Sequence, residues 1–198
     1  MSKGRLEAFS DGVLAIIITI MVLELKVPQG QDPAALAPLA PSLTSYVMSF
    51  FFLGIYWNNH HHLLQAVRHV NGLVLWANML LLFFLSLVPL MTGWMGATHF
   101  APWPVAIYGA VLLLSGVSYY LLSRALIASQ GPDSVLAGAV GRDRKGLVSL
   151  AFYAGAIPLA FLAPWASCLI YVLVAAIWLV PDRRIERAID SERKSGRL

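Results

Sequence analysis

The chain is poor in charge and has almost no cysteine. Only 12% of its 198 residues are charged, 59% are hydrophobic, and Cys168 is the single cysteine. One cysteine cannot form a disulfide within the chain, and its apolar surroundings predict a small packing residue. Polar stretches are also short, because residues 124–145 and the end of the chain after Pro181 each span only about twenty residues. The sequence therefore excludes a separate soluble catalytic or ligand-binding domain.

Motifs that carry enzyme chemistry are missing. There is no nucleophile elbow, no phosphate-binding loop and no pair of catalytic carboxylates, so no enzyme activity and no cofactor are predicted. The run His60-His61-His62 suggests a metal site, but consecutive residues on a helix point about 100° apart and three of them cannot converge on one ion. We therefore predict no metal site. A membrane enzyme that uses these histidines remains a weaker alternative, which metal analysis of the purified protein would test.

What the sequence does contain is apolar segments of membrane-spanning length. The mean hydropathy of +0.72 is typical of an integral membrane protein. A spanning helix needs about 20 mostly apolar residues, and the chain divides into six such segments. We predict an all-α fold in a lipid bilayer, forming one transmembrane domain over residues 1–198. Its helices are predicted near 6–25, 41–60, 71–92, 101–123, 146–161 and 164–180.

Basic residues give the predicted topology. Lys and Arg are retained in short cytoplasmic loops, and with six spans thirteen of the fourteen basic residues fall on the side of the N-terminus. Only Lys26 falls on the other side. Both termini and the tail 182–198 are thus predicted to be cytoplasmic. Pro158 and Pro164 interrupt the last apolar stretch, and a tight hairpin there gives six spans whereas a kink gives five. The net charge of +4 is explained by this topology, so no nucleic-acid partner is predicted.

The connection between the first two predicted spans is rich in proline. Residues 28–41 hold four prolines together with Gly30 and Asp32. This composition predicts an external loop without regular structure.

The first apolar segment begins with an unusual string, Arg5-Leu-Glu-Ala-Phe9-Ser10-Asp11-Gly12. Asp11 lies inside the segment, and an ionisable group at that depth costs a few kcal/mol unless it faces water or a partner, which marks a candidate functional site. Further along, one helical face carries a stripe of three bulky aliphatics and one hydroxyl. These residues are Ile16, Thr19, Ile20 and Leu23. Periodicity alone leaves open whether this stripe packs against other helices or faces a symmetry axis.

Polar residues at matching depth in the next two segments are candidate partners for Ser10 and Asp11. Asn78 lies seven residues into the third segment, about 10 Å from its start. The candidates are Trp76 and Asn78 in the third segment and Tyr56, Trp57, Asn58, Asn59 and His60 near the end of the second. The sequence therefore predicts a buried polar cluster close to the cytoplasmic side.

The strings described above resemble the transmembrane protein 175 family, relatives of an endolysosomal potassium channel. The resemblance is most specific in the Arg-x-x-x-Phe-Ser-Asp string, and it extends to Thr19 and Leu23. Weaker matches are Tyr56-Trp57 with His60-His61, and Trp76-x-Asn78 with Pro89. The resemblance implies a homotetramer in a bacterial inner membrane that conducts monovalent cations, with K⁺ preferred, through a pore lined by the first helix of each subunit.

The resemblance also implies residue roles. Ile16, Ile20 and Leu23 would form a hydrophobic constriction, and Thr19 would contribute to ion selectivity. A polar network would tie the pore helix to its scaffold through eight residues, namely Arg5, Phe9, Ser10, Asp11, Trp57, His60, Trp76 and Asn78. The chain has no Thr-Val-Gly-Tyr-Gly loop, so the carbonyl filter of ordinary potassium channels is absent and selectivity must come from side chains and pore width.

A secondary transporter or proton pathway is the alternative to a channel. In that case Asp11 would be a titrating carrier site. The lack of an inverted repeat and of broken helices with polar pairs at the midplane counts against a transporter.

Overall fold

The structure is a computed structural model that describes residues 2–67, 69–131, 134–140 and 143–179, and every regular element in these ranges is helical. The chain folds into helices that follow one another without strands in the described residues. In chain order they are α1 (Lys3–Leu23), a 3-10 helix (Pro33–Leu39), α2 (Ala40–Gln65), α3 (Gly72–Ser86), α4 (Val88–Ala97), α5 (Pro102–Gln130), α6 (Val135–Val140), α7 (Arg144–Leu159) and α8 (Pro164–Leu179).

Four helical stretches are long and apolar enough to cross a membrane. They are Lys3–Leu23, Pro33–Gln65, Gly72–Ala97 and Pro102–Gln130. The third stretch differs from the predicted span 71–92, because it continues to Ala97 and is broken at Leu87 into α3 and α4. Pro89, near the start of α4, lacks the amide hydrogen that would continue the α3 ladder, which accounts for the break at this position.

The last apolar stretch forms a hairpin. α7 ends at Leu159, directly after Pro158, and α8 begins at Pro164. The Ser167 hydroxyl donates to the Ala156 carbonyl at 2.8 Å, and Trp178 Nε1 donates to Ser149 Oγ at 2.8 Å. Contacts both beside and far from the turn show that the two helices run antiparallel. Each has only 16 residues, about 24 Å of helix, so both are shorter than a bilayer core of about 30 Å.

Two connections carry more structure than the sequence predicted. The proline-rich segment 28–41 was predicted to lack regular structure, and this was wrong, because Asp32 caps a 3-10 helix by accepting from the Ala34 amide at 2.9 Å. The polar stretch after α5 likewise contains the short helix α6. None of the 3-10 helix residues is buried.

Basic residues lie mainly at one end of the bundle. The Lys3 ammonium donates to the Gln65 carbonyl at 3.2 Å, and Asn59 Nδ2 donates to the Trp178 carbonyl at 3.2 Å. The start of α1 and the ends of α2 and α8 therefore lie at one end, called the basic end here, and Gln130 joins it through the His69 carbonyl at 2.9 Å. Arg5, Arg144 and Lys145 belong to this end, whereas Lys26 follows α1 at the far end. The predicted charges at Arg68, Arg142 and in the tail 182–198 lie outside the described residues, as does Val180.

α1 lies on the outside of the bundle, packed on one side only. Its buried residues recur every three or four positions, as expected for one helical face. This face contacts α2, α3 and α4. The buried residues are Leu6, Ser10, Leu14, Ile17 and Met21.

Candidate functional site

The opposite face of α1 is exposed and carries the apolar stripe found in the sequence. Ile16 is 58% exposed, Leu23 is 79% exposed, and Ile20 and Thr19 are also exposed. The stripe lies about 130° from the middle of the buried face when residues are placed at about 100° intervals. Within the described residues, the stripe therefore does not pack against other helices of its own chain.

Thr19 is the one polar side chain of the stripe. Its hydroxyl lies 2.9 Å from the Ala15 carbonyl and 3.0 Å from the Ile16 carbonyl, so its hydrogen is donated to the helix backbone. The lone pairs of Oγ1 are therefore directed away from the α1 backbone, toward the exposed side. Such an oxygen can accept a hydrogen bond or a cation contact, but it has no hydrogen left to donate.

A buried chain of hydrogen bonds joins α1 to α2 and α3, as the depth argument predicted. Asn78 Nδ2 donates to Ser10 Oγ at 2.9 Å, which leaves Asn78 Oδ1 as an acceptor. His60 Nε2 lies 2.7 Å from that oxygen and must carry the proton. All three side chains are at most 2% exposed. We call Ser10, Asn78 and His60 the basic-end knot.

Asp11 points sideways from the stripe, toward α2. Trp57 Nε1 donates to Asp11 Oδ1 at 3.0 Å, and the Trp57 ring is stacked on His61 with centroids 5.9 Å apart. His61 in turn lies 2.8 Å from Gln65 Nε2. The predicted partner of Asp11 is therefore present, in a partly exposed arrangement beside the buried knot.

Three other residues of the predicted network are exposed instead. Arg5 is exposed, Phe9 is 46% exposed and Trp76 is 75% exposed. Among the residues that the structure describes, none of the three makes a hydrogen bond, ion pair or ring contact with the knot. A single chain thus brings together Ser10, Asp11, Trp57, His60 and Asn78, and leaves these three on its surface.

A second buried polar cluster, which the sequence reasoning missed, holds α1 near the far end. Thr92 Oγ1 lies 2.6 Å from Ser49 Oγ, and Ser49 Oγ lies 3.0 Å from the Tyr108 hydroxyl. The same Thr92 hydroxyl reaches Met21 Sδ at 4.0 Å, its contact with α1. We call these four residues the far-end cluster. Hydroxyls within apolar spans bond either across helices or to their own backbone, so Ser49 and Thr92 gave no specific signal in the sequence.

No metal centre is found in the described part of the chain. No group of three or more His, Cys, Asp or Glu side chains lies close enough to hold an ion there. His60 is used in the knot, where it contacts α3, and His61 stacks on Trp57 within α2.

Comparison with known proteins agrees with this geometry. Residues 5–89, which contain the stripe and the knot, match the family described as endosomal/lysosomal potassium channel TMEM175. A potassium channel of Chryseobacterium sp. (strain P1-3) is 53% identical over 189 residues, covering 96% of this chain and 98% of the relative. The chain belongs to the TMEM175 family.

The fold agrees with the family as well. The crystal structure of a lysosomal potassium-selective channel TMEM175 homolog from Chamaesiphon minutus superposes with a TM-score of 0.78 at 27% identity, covering 89% of this chain and 96% of that one. An endosomal/lysosomal proton channel TMEM175 of Homo sapiens is 36% identical over 102 residues, which are 46% of this chain and 20% of the human protein. The chain is thus a multi-pass membrane protein, and its named relatives are ion channels rather than enzymes.

Proposed function

We propose that this chain is the subunit of a potassium-preferring cation channel that conducts passively through a pore lined by α1. The observation that carries the proposal is the exposed stripe of α1, which no helix in the described part of the chain covers. The relatives named potassium channels support the choice of ion. The permeant ion is K⁺, and no cofactor takes part.

The assembly we propose is a homotetramer in a bacterial inner membrane. All of residues 1–198 form one domain, α7 and α8 complete six spans, and both termini are cytoplasmic. Support comes from Arg5, Arg144 and Lys145, which all lie at the basic end. Basic residues are retained on the cytoplasmic side of a membrane, so this end is assigned to the cytoplasm. An oligomer is needed because one chain presents a single α1 and cannot enclose a pore.

In such a tetramer the exposed stripe forms rings around the axis. Ile16, Ile20 and Leu23 make hydrophobic constrictions, and a narrow apolar ring blocks ions by excluding water. Thr19 lies between the rings, and its oxygen lone pairs are suited to a cation because its hydrogen is held by the backbone. We assign the constriction to the three aliphatics and selectivity to Thr19.

The knot gives this pore helix a fixed scaffold. Ser10 is bound to α3, and Asp11 is bound to α2 through Trp57. Arg5, Phe9 and Trp76 complete the motif on the surface, where we propose that they contact lipid or a neighbouring subunit rather than the knot.

The test is planar-bilayer current from purified protein under opposed potassium and sodium gradients. Ile16→Asn and Leu23→Ala should raise the unitary conductance severalfold, because they wet or widen the constriction. Thr19→Ala should shift the reversal potential toward that of a nonselective pore.

Val22→Ala is the matched control for Leu23→Ala. Val22 is also exposed, at 48%, but lies about 100° around the helix from Leu23. The unitary conductance of the Val22→Ala channel should equal that of the wild type. Equal effects of the two substitutions, or no unitary current in any protein, would contradict the pore assignment.

Proton conduction is the second candidate, because the animal relatives are named proton channels. In this case the Asp11 carboxylate would carry the proton. Asp11→Asn should then abolish flux driven by a pH gradient, whereas the potassium channel proposal predicts that potassium current persists in this variant.

A further inference from the structure

A crevice lies on the opposite side of α2 from α1. It is bounded by α2, α5, α7 and α8, encloses about 50 Å³, and measures about 520 Å³ when the part open to the surroundings is counted. Along α7 its lining runs from Asp143 to Tyr153, ten residues, or about 15 Å of helix. We call it the aromatic crevice, because Phe52, Tyr56, Tyr119, Tyr120, Tyr153 and Trp178 line it.

At the basic end of the crevice, the polar groups of Tyr119, Trp178 and Asp143 are paired. The Tyr119 hydroxyl donates to the Asn59 carbonyl at 3.2 Å, and Trp178 Nε1 donates to Ser149 Oγ at 2.8 Å. Asp143 caps α7 by accepting from the Gly146 amide at 2.8 Å. These groups need no ligand.

The deep end is different, because two phenol hydroxyls remain unused. Tyr153 is only 4% exposed and Tyr56 is half-buried. Within the described residues, neither hydroxyl has a hydrogen-bond partner, although both side chains line the crevice. The two hydroxyls are not among the fully buried, unpaired polar atoms of the described residues, so they keep accessible surface, and a group that enters the crevice can bond to them.

A glycine keeps this end open. A Cβ added at Gly116 would meet Leu150 Cδ2 at 2.9 Å and the Tyr56 hydroxyl at 3.8 Å. The space beside the two phenols therefore depends on the absence of a side chain at residue 116.

The chemistry of the deep end selects the class of ligand. Among the lining residues the one charged side chain is Asp143, which lies at the basic end. A charged group at the deep end would be buried without a counterion, which is costly. Two phenols can donate to and accept from a neutral oxygen, and Phe52, Ile55 and Leu150 offer apolar walls.

We propose that the aromatic crevice is a binding site for a small uncharged molecule with one hydroxyl or carbonyl group and a slim apolar or aromatic body. The Tyr56 and Tyr153 hydroxyls hold the polar group, and the body lies between α2, α5 and α7. The site is separate from the exposed stripe of α1, so it does not depend on the pore proposal.

The test uses para-fluorobenzyl alcohol as the probe, observed by fluorine NMR with the full chain in lipid nanodiscs. We expect saturable binding to the wild type, and binding about tenfold weaker for the double variant Tyr56→Phe/Tyr153→Phe, because two hydrogen bonds are lost with the ring shapes kept. para-Fluorotoluene, which lacks the hydroxyl, should bind the wild type as weakly as the alcohol binds the double variant.

Two further variants test whether the loss of binding is specific to the aromatic crevice. Tyr46→Phe removes a phenol near the far end, outside the crevice, and should leave binding unchanged. Gly116→Ala fills the floor against the flexible end of Leu150 and should weaken binding while the melting temperature is retained. Equal binding of the alcohol and the toluene, or equal binding to the wild type and the folded double variant, would overturn the proposal and assign the crevice to lipid chains.

Discussion

The two polar clusters that hold α1 differ in how they contact it. At the basic end the contact is a direct hydrogen bond of 2.9 Å between Asn78 and Ser10, in a fully buried chain that ends at His60. At the far end the hydrogen bonds run between Thr92, Ser49 and Tyr108, and α1 contributes only the thioether of Met21 at 4.0 Å. α1 is thus held by a direct hydrogen bond near the basic end and by a thioether contact near Ile20 and Leu23. The proposed constriction therefore lies beside the contact that is made without a direct hydrogen bond to α1.

The largest effect should come from the basic-end knot. Asn78→Ala leaves Ser10 and His60 buried without their partner, and we expect the free energy of unfolding to fall by about 2–4 kcal/mol. The melting temperature in detergent should fall by about 5–15 °C, measured by size-exclusion fluorescence. Asn58→Ala is the control on α2, because Asn58 is only half-buried and is not part of the knot. A similar loss of unfolding free energy in both variants would show that the basic-end knot stabilises the fold no more than a half-buried side chain of α2 does.

A packing change should rank second and act at the far end. A Cβ added at Gly96 would lie 2.7 Å from Ser42 Cα and 2.6 Å from Ser45 Oγ, so Gly96→Ala must move α4 away from the α2 backbone. We expect a loss of about 1–3 kcal/mol in unfolding free energy. Gly155→Ala, where a Cβ meets nothing within 4 Å, should be neutral or slightly stabilising. Comparable melting temperatures for the two variants would argue against close packing at this end.

The smallest effect should come from the far-end cluster itself. Thr92→Val keeps the side-chain shape, and Ser49 retains the Tyr108 hydroxyl as its partner. We therefore expect a loss of about 1 kcal/mol in unfolding free energy, well below that of Asn78→Ala. Thermal melting of both variants in one detergent measures the ratio. A larger loss in Thr92→Val would reverse the comparison between the two ends.

Much of the basic-end knot could be predicted from the sequence, and the far-end cluster was not. Asn78 and His60 were among the seven candidate partners at the depth of Ser10, because amide and imidazole groups are rare in apolar spans. Ser49 and Thr92 did not stand out, because serine and threonine in membrane helices commonly bond to their own backbone. Thr92 does so with the Val88 carbonyl at 2.7 Å, and only the fold reveals its second partner.

Helix boundaries were predictable where composition changes sharply. α1, α7 and α8 lie within three residues of the predicted spans, whereas α2 and α5 run five and seven residues past the ends of theirs. The break at Leu87 was missed because the residues on both sides are apolar, so hydropathy does not change there. The exposure of Arg5, Phe9 and Trp76 was not predicted, although the helical periodicity of the sequence could have indicated it. The motif places them beside Ser10 and Asn78 in sequence, but helical geometry turns their side chains to another face.

The break at Leu87 also has a mechanical consequence. The basic-end knot attaches α1 to α3, and the far-end cluster attaches α1 to α4. The two attachment points therefore lie on opposite sides of the break at Leu87. They lie eleven residues apart on α1, at Ser10 and Met21, or about 16 Å along its axis. Any change in the angle between α3 and α4 therefore acts on α1 as a bending moment, not as a rotation of the whole helix.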